Sequence, residues 1–297
     1  MLKLPERDKK MVKKASLSHY KLLLETVKRR QKEQPSENVE RIRIELPKEQ
    51  PKALQGAINL EKVSMFFGKH KVLDNINLTI KPGKIFGIIG VSGSGKTTIL
   101  RLIIGYYKPT QGKILFNNEI IGKNSPIKGR FGFASQDNSF YHNLNAEENL
   151  YYFGKLYGVQ EDYLQHNINR VIQLVELNEA RKTVANHLSG GMQRRLDFAC
   201  SLINNPSVLI LDEPTEDLDP HLRIELLKLI KEVNKRGTTV IFTTHLLNEA
   251  EYLCDEVAII DNGAVLEVGT PDQLKDTYMR GSEIHLILKS GKYEDYI

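Results

Sequence analysis

Gly90-Val91-Ser92-Gly93-Ser94-Gly95-Lys96-Thr97 is the stretch on which the fold of this chain turns. It satisfies G-x-x-x-x-G-K-[ST] at every specified position. An apolar run at 84–90 precedes it, and a helical pattern over 97–104, closed by Gly105, follows. Strand, Gly-rich loop, then helix is the context that separates a phosphate-binding loop from a chance cluster of glycines. The glycines let successive backbone N–H groups turn inward around phosphate oxygens, and the helix N-terminus adds favourable partial charge. In such a loop Lys96 reaches the β- and γ-phosphates, and the Thr97 hydroxyl faces Mg2+.

A second element lies downstream. Val208-Leu209-Ile210-Leu211-Asp212-Glu213 is an apolar strand that ends in two acids. In an open parallel sheet, ligands sit beyond the carboxyl ends of the strands. The pair therefore reads as a metal-holding Asp212 and a Glu213 that orients or deprotonates a water. Between the two elements stands Leu188-Ser189-Gly190-Gly191-Met192-Gln193, which on its own is a short polar turn ahead of a helix.

The surrounding pattern gives the fold class. Residues 58–63 and 73–80 alternate apolar and polar, as half-buried antiparallel strands do, and a third strand is expected at 113–116. Residues 146–182 look mostly helical, and a further helix runs from the Gly190-Gly191 turn to about residue 203. Strands at 208–211 and 239–243, helices at 220–235 and 246–254, and strands at 256–260 and 264–268 complete the core. Alternating strands and helices imply an α/β fold whose parallel sheet is covered on both faces.

Taken together, these motifs resemble the ATP-binding-cassette (ABC) ATPase family, over about residues 57–275. The resemblance implies a P-loop NTPase (RecA-like) core, an antiparallel β subdomain and an inserted α-helical subdomain at about 137–196. It also implies ATP and Mg2+ as ligands. The cofactor-binding residues would be Phe67 (on adenine, with Phe66 as its rival), Gly90, Val91, Ser92, Gly93, Ser94, Gly95, Lys96, Thr97 and Thr98. In this family the signature sequence of one protomer closes over the ATP of the other, which adds Ser189, Gly190, Gly191 and Gln193. The metal set becomes Thr97, Gln136 and Asp212. Glu213, His245, Lys96 and Gln136 form the catalytic group, with His245 the switch residue and Gln136 also sensing a membrane partner. Leu218-Asp219 matches the loop that crosses the dimer interface. Relatives often carry Gly where this chain has Asp217, which leaves the geometry of that loop open.

Residues 148–158, with Met192 and Arg194-Arg195, look like the ABC-2 exporter branch. Tyr151, Tyr152, Phe153 and Tyr157 fit either the core or a groove for a helix of a membrane subunit. The implied function is an ATPase powering export through a separate permease, in a homo- or heterodimer with a second ABC subunit. A soluble ABC ATPase acting on nucleic acid, ribosomes or an assembly complex is the alternative. One cassette with no heptad insert favours the transporter, and no nucleic acid is expected as a partner.

The charge of the core agrees with that expectation, and a basic N-terminal arm is the one feature that keeps the alternative open. Residues 1–34 hold 11 Lys/Arg against 4 Asp/Glu, so the basic pI comes from an N-terminal arm and not from the ATPase core. A loose apolar stripe at Val12, Ala15, Tyr20, Leu23 and Val27 suggests a basic helix, and Pro35, Pro47 and Pro51 then suggest a linker to residue 56. Such an arm fits plain solvation, an anionic membrane surface or membrane partner, or nucleic acid. No apolar run approaches the roughly 18 residues that span a bilayer, and no signal-peptide core is seen. The expected location is cytoplasmic, peripheral on the inner face of the cell membrane. Cys200 and Cys254 have no metal-type spacing and read as reduced thiols in or near the core. Residues 276–297 form a tail with a strand candidate at 284–288.

Overall fold

The structure is a computed structural model that describes residues 56–122 and 125–278. The basic arm and the strand candidate at 284–288 lie outside the described residues. In chain order the elements begin with β1 (Ile58–Phe67), β2 (His70–Ile80), β3 (Ile85–Ile89) and α1 (Lys96–Ile103). Next come β4 (Gln111–Phe116), β5 (Glu119–Ile120), β6 (Phe131–Ala134), α2 (Ala146–Leu156), α3 (Glu161–Leu174) and α4 (Gly190–Leu202). Last are β7 (Val208–Asp212), α5 (Pro220–Lys235), β8 (Thr239–Thr244), α6 (Leu247–Leu253), β9 (Glu256–Asp261), β10 (Ala264–Gly269) and α7 (Pro271–Tyr278).

Two sheets form. One has the order β2-β1-β4-β5, and each of its pairs is antiparallel. The other has the order β10-β9-β3-β8-β7-β6 and is parallel except for β10 on its edge. Strands β3, β7 and β8 are buried along their whole length, as expected for a sheet covered on both faces.

The pleat splits these strands between two apolar clusters. Val208, Ile210, Ile241, Phe86 and Ile88 face α1 and the antiparallel sheet. Leu209, Leu211, Val240 and Phe242 face the opposite way, toward α2–α5. A slip of one residue in register would exchange the two sets, so burial on both faces specifies the pairing.

Strand β6 is absent from the sequence reading. Phe131-Gly132-Phe133-Ala134 is too short to show a period, and its Gly argues locally against a strand. The reason for that Gly is a close approach: a Cβ on Gly132 would sit 2.0 Å from the Ser201 carbonyl oxygen of α4. The contact sets α4 directly on the strand that delivers Gln136.

Local sequence starts the helices that matter here. Asn145 and Glu148 form a reciprocal capping box at the start of α2. Asp219 caps α5 by accepting from the N–H groups of His221 and Leu222, with Pro220 at the first turn. Ser189 caps α4, accepting from Met192 N–H at 3.3 Å.

Candidate active site

Four parallel strands, β6, β7, β8 and β3, end on one side of the sheet. Their registers set Asp212 opposite Thr243 and Ile89 opposite Thr244. The residues that follow these ends are Gln136, Glu213, His245 and the loop beginning at Gly90, which places four separate sequence segments at one rim.

The loop itself is shaped for a close-fitting ligand. Gly95 takes φ 107 at the N-cap of α1, where an L side chain would be strained. A Cβ on Gly90 would lie 2.3 Å from Ile260 O, so no other residue fits there. Ser94 is 2% exposed, and its hydroxyl has no hydrogen-bond partner among the described residues. An unpartnered buried hydroxyl in a loop of this sequence is a donor that an oxyanion would satisfy.

Lys96 is 4% exposed and has three oxygen partners: Gly90 O at 2.9 Å, Val91 O at 3.2 Å and Glu213 Oε1 at 3.1 Å. Glu213 carries its second oxygen to His245 Nδ1 at 2.8 Å. Burial pushes the Glu213 carboxyl up, but hydrogen bonds from His245 and Lys96 and the charge of Lys96 outweigh it, so the net position is below the usual range. Glu213 is therefore a carboxylate at neutral pH. The Nδ1 of His245 must donate to it, which leaves Nε2 for a third party. Glu213 also takes φ 45, a region costly for a non-Gly residue. Its N–H donates to Thr243 Oγ1 at 2.9 Å, which helps hold the turn.

Beside this chain stands a pair of hard oxygen donors. Thr97 Oγ1 donates to Asp212 Oδ1 at 3.1 Å, and Thr243 Oγ1 donates to the same oxygen at 2.7 Å. One hydroxyl and one carboxylate beside a phosphate cradle suit Mg2+, which usually takes one or two carboxylates and completes its shell with phosphate and water.

The other residues named from sequence have different surroundings. Gln136 Nε2 donates to Glu216 Oε2 at 2.6 Å. Phe67, at the end of β1, is 43% exposed and meets the Tyr107 ring edge-on at 5.2 Å. Thr98 is half-buried in the first turn of α1. Gln193 Nε2 donates to Ala185 O at 3.0 Å. Among the described residues, no hydrogen bond or ion pair joins residues 188–193 to residues 90–97. Asp217 takes φ 60, in the left-handed region that favours Gly and that Asp tolerates better than most residues.

Sequence reasoning used Arg194 only as a marker of the exporter branch. In the structure its guanidinium donates to Pro214 O at 2.7 Å, Glu213 O at 2.8 Å and Gln136 O at 2.9 Å. It thus ties α4 to both the strand end that carries Glu213 and the segment that carries Gln136. Asp197, one turn on, accepts from Ser139 N at 2.8 Å and holds the far end of the same segment. The available signal was an Arg and an Asp three apart, leading into the apolar stretch Phe198-Ala199-Cys200.

Burial pushes Asp197 up to about 6, against the opposing effects of Ser139 N–H and the Arg194 charge. A raised carboxyl pKa means that the folded state binds the proton more tightly than the unfolded chain. The contribution of Asp197 to stability then falls as pH rises from about 4 to about 6, by up to about 3 kcal/mol, and is level above. Asp197→Asn should remove that slope. Urea midpoints of both proteins from pH 4 to 7 check it, and parallel curves would contradict it.

Comparison with known proteins shows the family. The ABC transporter family profile matches residues 73–216. Linearmycin resistance ATP-binding protein LnrL of Bacillus subtilis is 35% identical over 81% of this chain and 77% of its own length. Nod factor export ATP-binding protein I of Cupriavidus metallidurans is 34% identical over 74% of this chain and 73% of its own. The structure of cbiO1 from Clostridium perfringens, part of the ABC transporter complex cbiONQ, superposes with a TM-score of 0.69 at 27% identity, over 75% of this chain and 91% of that one. A dimeric ATP-binding cassette in a post-hydrolysis state, bound to ADP and Pi, gives 0.65 at 28% identity, over 72% of this chain and 98% of that one. The chain belongs to the ABC transporter family of ATP-binding subunits. It binds ATP and hydrolyses it.

Proposed function

We propose that two copies of this chain sandwich two ATP molecules and drive export through a separate integral-membrane subunit, from the inner face of the membrane. The observation that carries the reading is the chain of contacts from buried Lys96 through Glu213 to exposed His245, beside the Thr97–Asp212 pair. Export follows from the relatives, which are named for Nod factor export and linearmycin resistance. Among the described residues no helix is long and apolar enough to cross a membrane, so passage through the bilayer falls to a partner.

On this reading ATP enters with its phosphates in the loop at 90–97, and Lys96 exchanges carbonyl partners for phosphate oxygens. Phe67, backed by Tyr107, stacks on adenine. Thr97, Asp212 and Gln136 would hold Mg2+, which supplies charge neutralisation on the β- and γ-phosphates. Glu213 accepts the proton of the attacking water, and His245 keeps the carboxylate aimed. Ser189 and the N–H groups of Gly190 and Gly191 of the other copy cap the γ-phosphate. A site split between two chains makes closure depend on that phosphate, and its loss loosens the pair. The face bearing exposed Tyr141 and half-buried Tyr152, whose hydroxyls are 3.0 Å apart, receives a short helix of the membrane subunit.

The test is capture of the tagged Glu213→Gln chain from native membranes in mild detergent with ATP present. An integral-membrane protein at near one-to-one ratio is expected. Recovery of soluble protein or nucleic acid alone would overturn the transporter reading.

A further inference from the structure

Glu213 follows β7 and His245 follows β8, so their 2.8 Å contact joins two separate turns. One buried carboxylate holds both turns. Glu249 of α6 is 1% exposed. Its Oε1 accepts from Thr215 Oγ1 at 2.6 Å, two residues after Glu213. Its Oε2 accepts from Thr244 Oγ1 at 2.6 Å, next to His245. The Thr244 oxygen in turn accepts from Leu246 N at 3.0 Å, so the hydroxyl grips both flanks of the histidine.

The network reaches further. Arg223 of α5 stands 3.4 Å from Glu249 Oε1 and also donates to Leu218 O, in the loop whose sequence resembles one that crosses a dimer interface. A carboxylate taken out of water is costly, and an apolar side chain would fill the space at less cost. Charge at this position gives direction: it draws two hydroxyls and a guanidinium from three segments onto one point.

We infer that Glu249 is a positioning residue for hydrolysis. It registers the Glu213 turn against the His245 turn and links both, through Arg223, to the loop at 216–219. The inference rests on the hydrolytic reading above. It assigns no contact between Glu249 and the nucleotide. The dyad should therefore lose its aim when Glu249 changes, while the phosphate loop keeps its grip.

Glu249→Gln keeps the shape but removes the charge and one acceptor. The expected result is a kcat at least tenfold lower, with KM for ATP and the affinity for a non-hydrolysable ATP analogue within twofold of the parent. Thr244→Val, which removes one arm without a charge change, serves if the first variant does not fold. It should show the same split, and the loss in the double variant should be smaller than the product of the two losses. An unchanged kcat, or a kcat loss matched by loss of nucleotide affinity, would overturn the inference. The parent chain is assayed alongside, and an inactive parent would overturn the hydrolytic reading itself.

Discussion

Glu213→Gln is expected to lower ATP turnover about 10³-fold, equal to about 4 kcal/mol on the barrier, while nucleotide affinity stays close to that of the parent. Gln cannot take a proton from water, which removes the base. Its shape and its hydrogen bond from His245 Nδ1 can remain, so the turn beyond β7 should survive. The substitution also frees Lys96 from its 3.1 Å ion pair, which leaves the ammonium fully available to phosphate. Affinity is therefore expected to hold or rise slightly. Single-turnover hydrolysis and equilibrium dialysis separate the two quantities. A variant that still turns over at a tenth of the parent rate would remove Glu213 from the base role.

Lys96→Ala should fail at the earlier step. Truncating a buried charge that pairs with the γ-phosphate costs about 3 kcal/mol, or roughly a hundredfold in Kd. The substitution also leaves the Gly90 and Val91 carbonyls without the donor they now share, so the empty loop loses order too. The two variants thus divide the site. One binds without turning over, and the other does not bind at working ATP concentrations. Fluorescent-nucleotide titration checks it, and parental affinity in Lys96→Ala would contradict the assignment of the loop.

Much of this site was legible in the sequence because its parts are contiguous. The loop at 90–97 and the acids after the apolar strand at 208–211 each carry their chemistry within a few residues. The placing of His245 after a buried strand was legible for the same reason. What stayed hidden depends on contacts between distant segments. Gly132 is a strand residue only because α4 crosses it, and nothing near it in sequence says so. Arg194 and Glu249 look like ordinary helix-surface charges until the fold brings backbone carbonyls and hydroxyls to them. Asp217 appears from sequence to be a departure from a Gly pattern. Its φ of 60 shows that the turn keeps the conformation a Gly would supply.

The central claim is that ATP closes two copies of this chain on one another. Sedimentation of Glu213→Gln, with saturating ATP and Mg2+ and again after chelation, tests it most directly. The expected result is a species of twice the 33.9 kDa chain mass with nucleotide and metal, which returns to single-chain mass when the metal is removed. A protein that remains at single-chain mass while dialysis shows ATP bound would contradict the shared site.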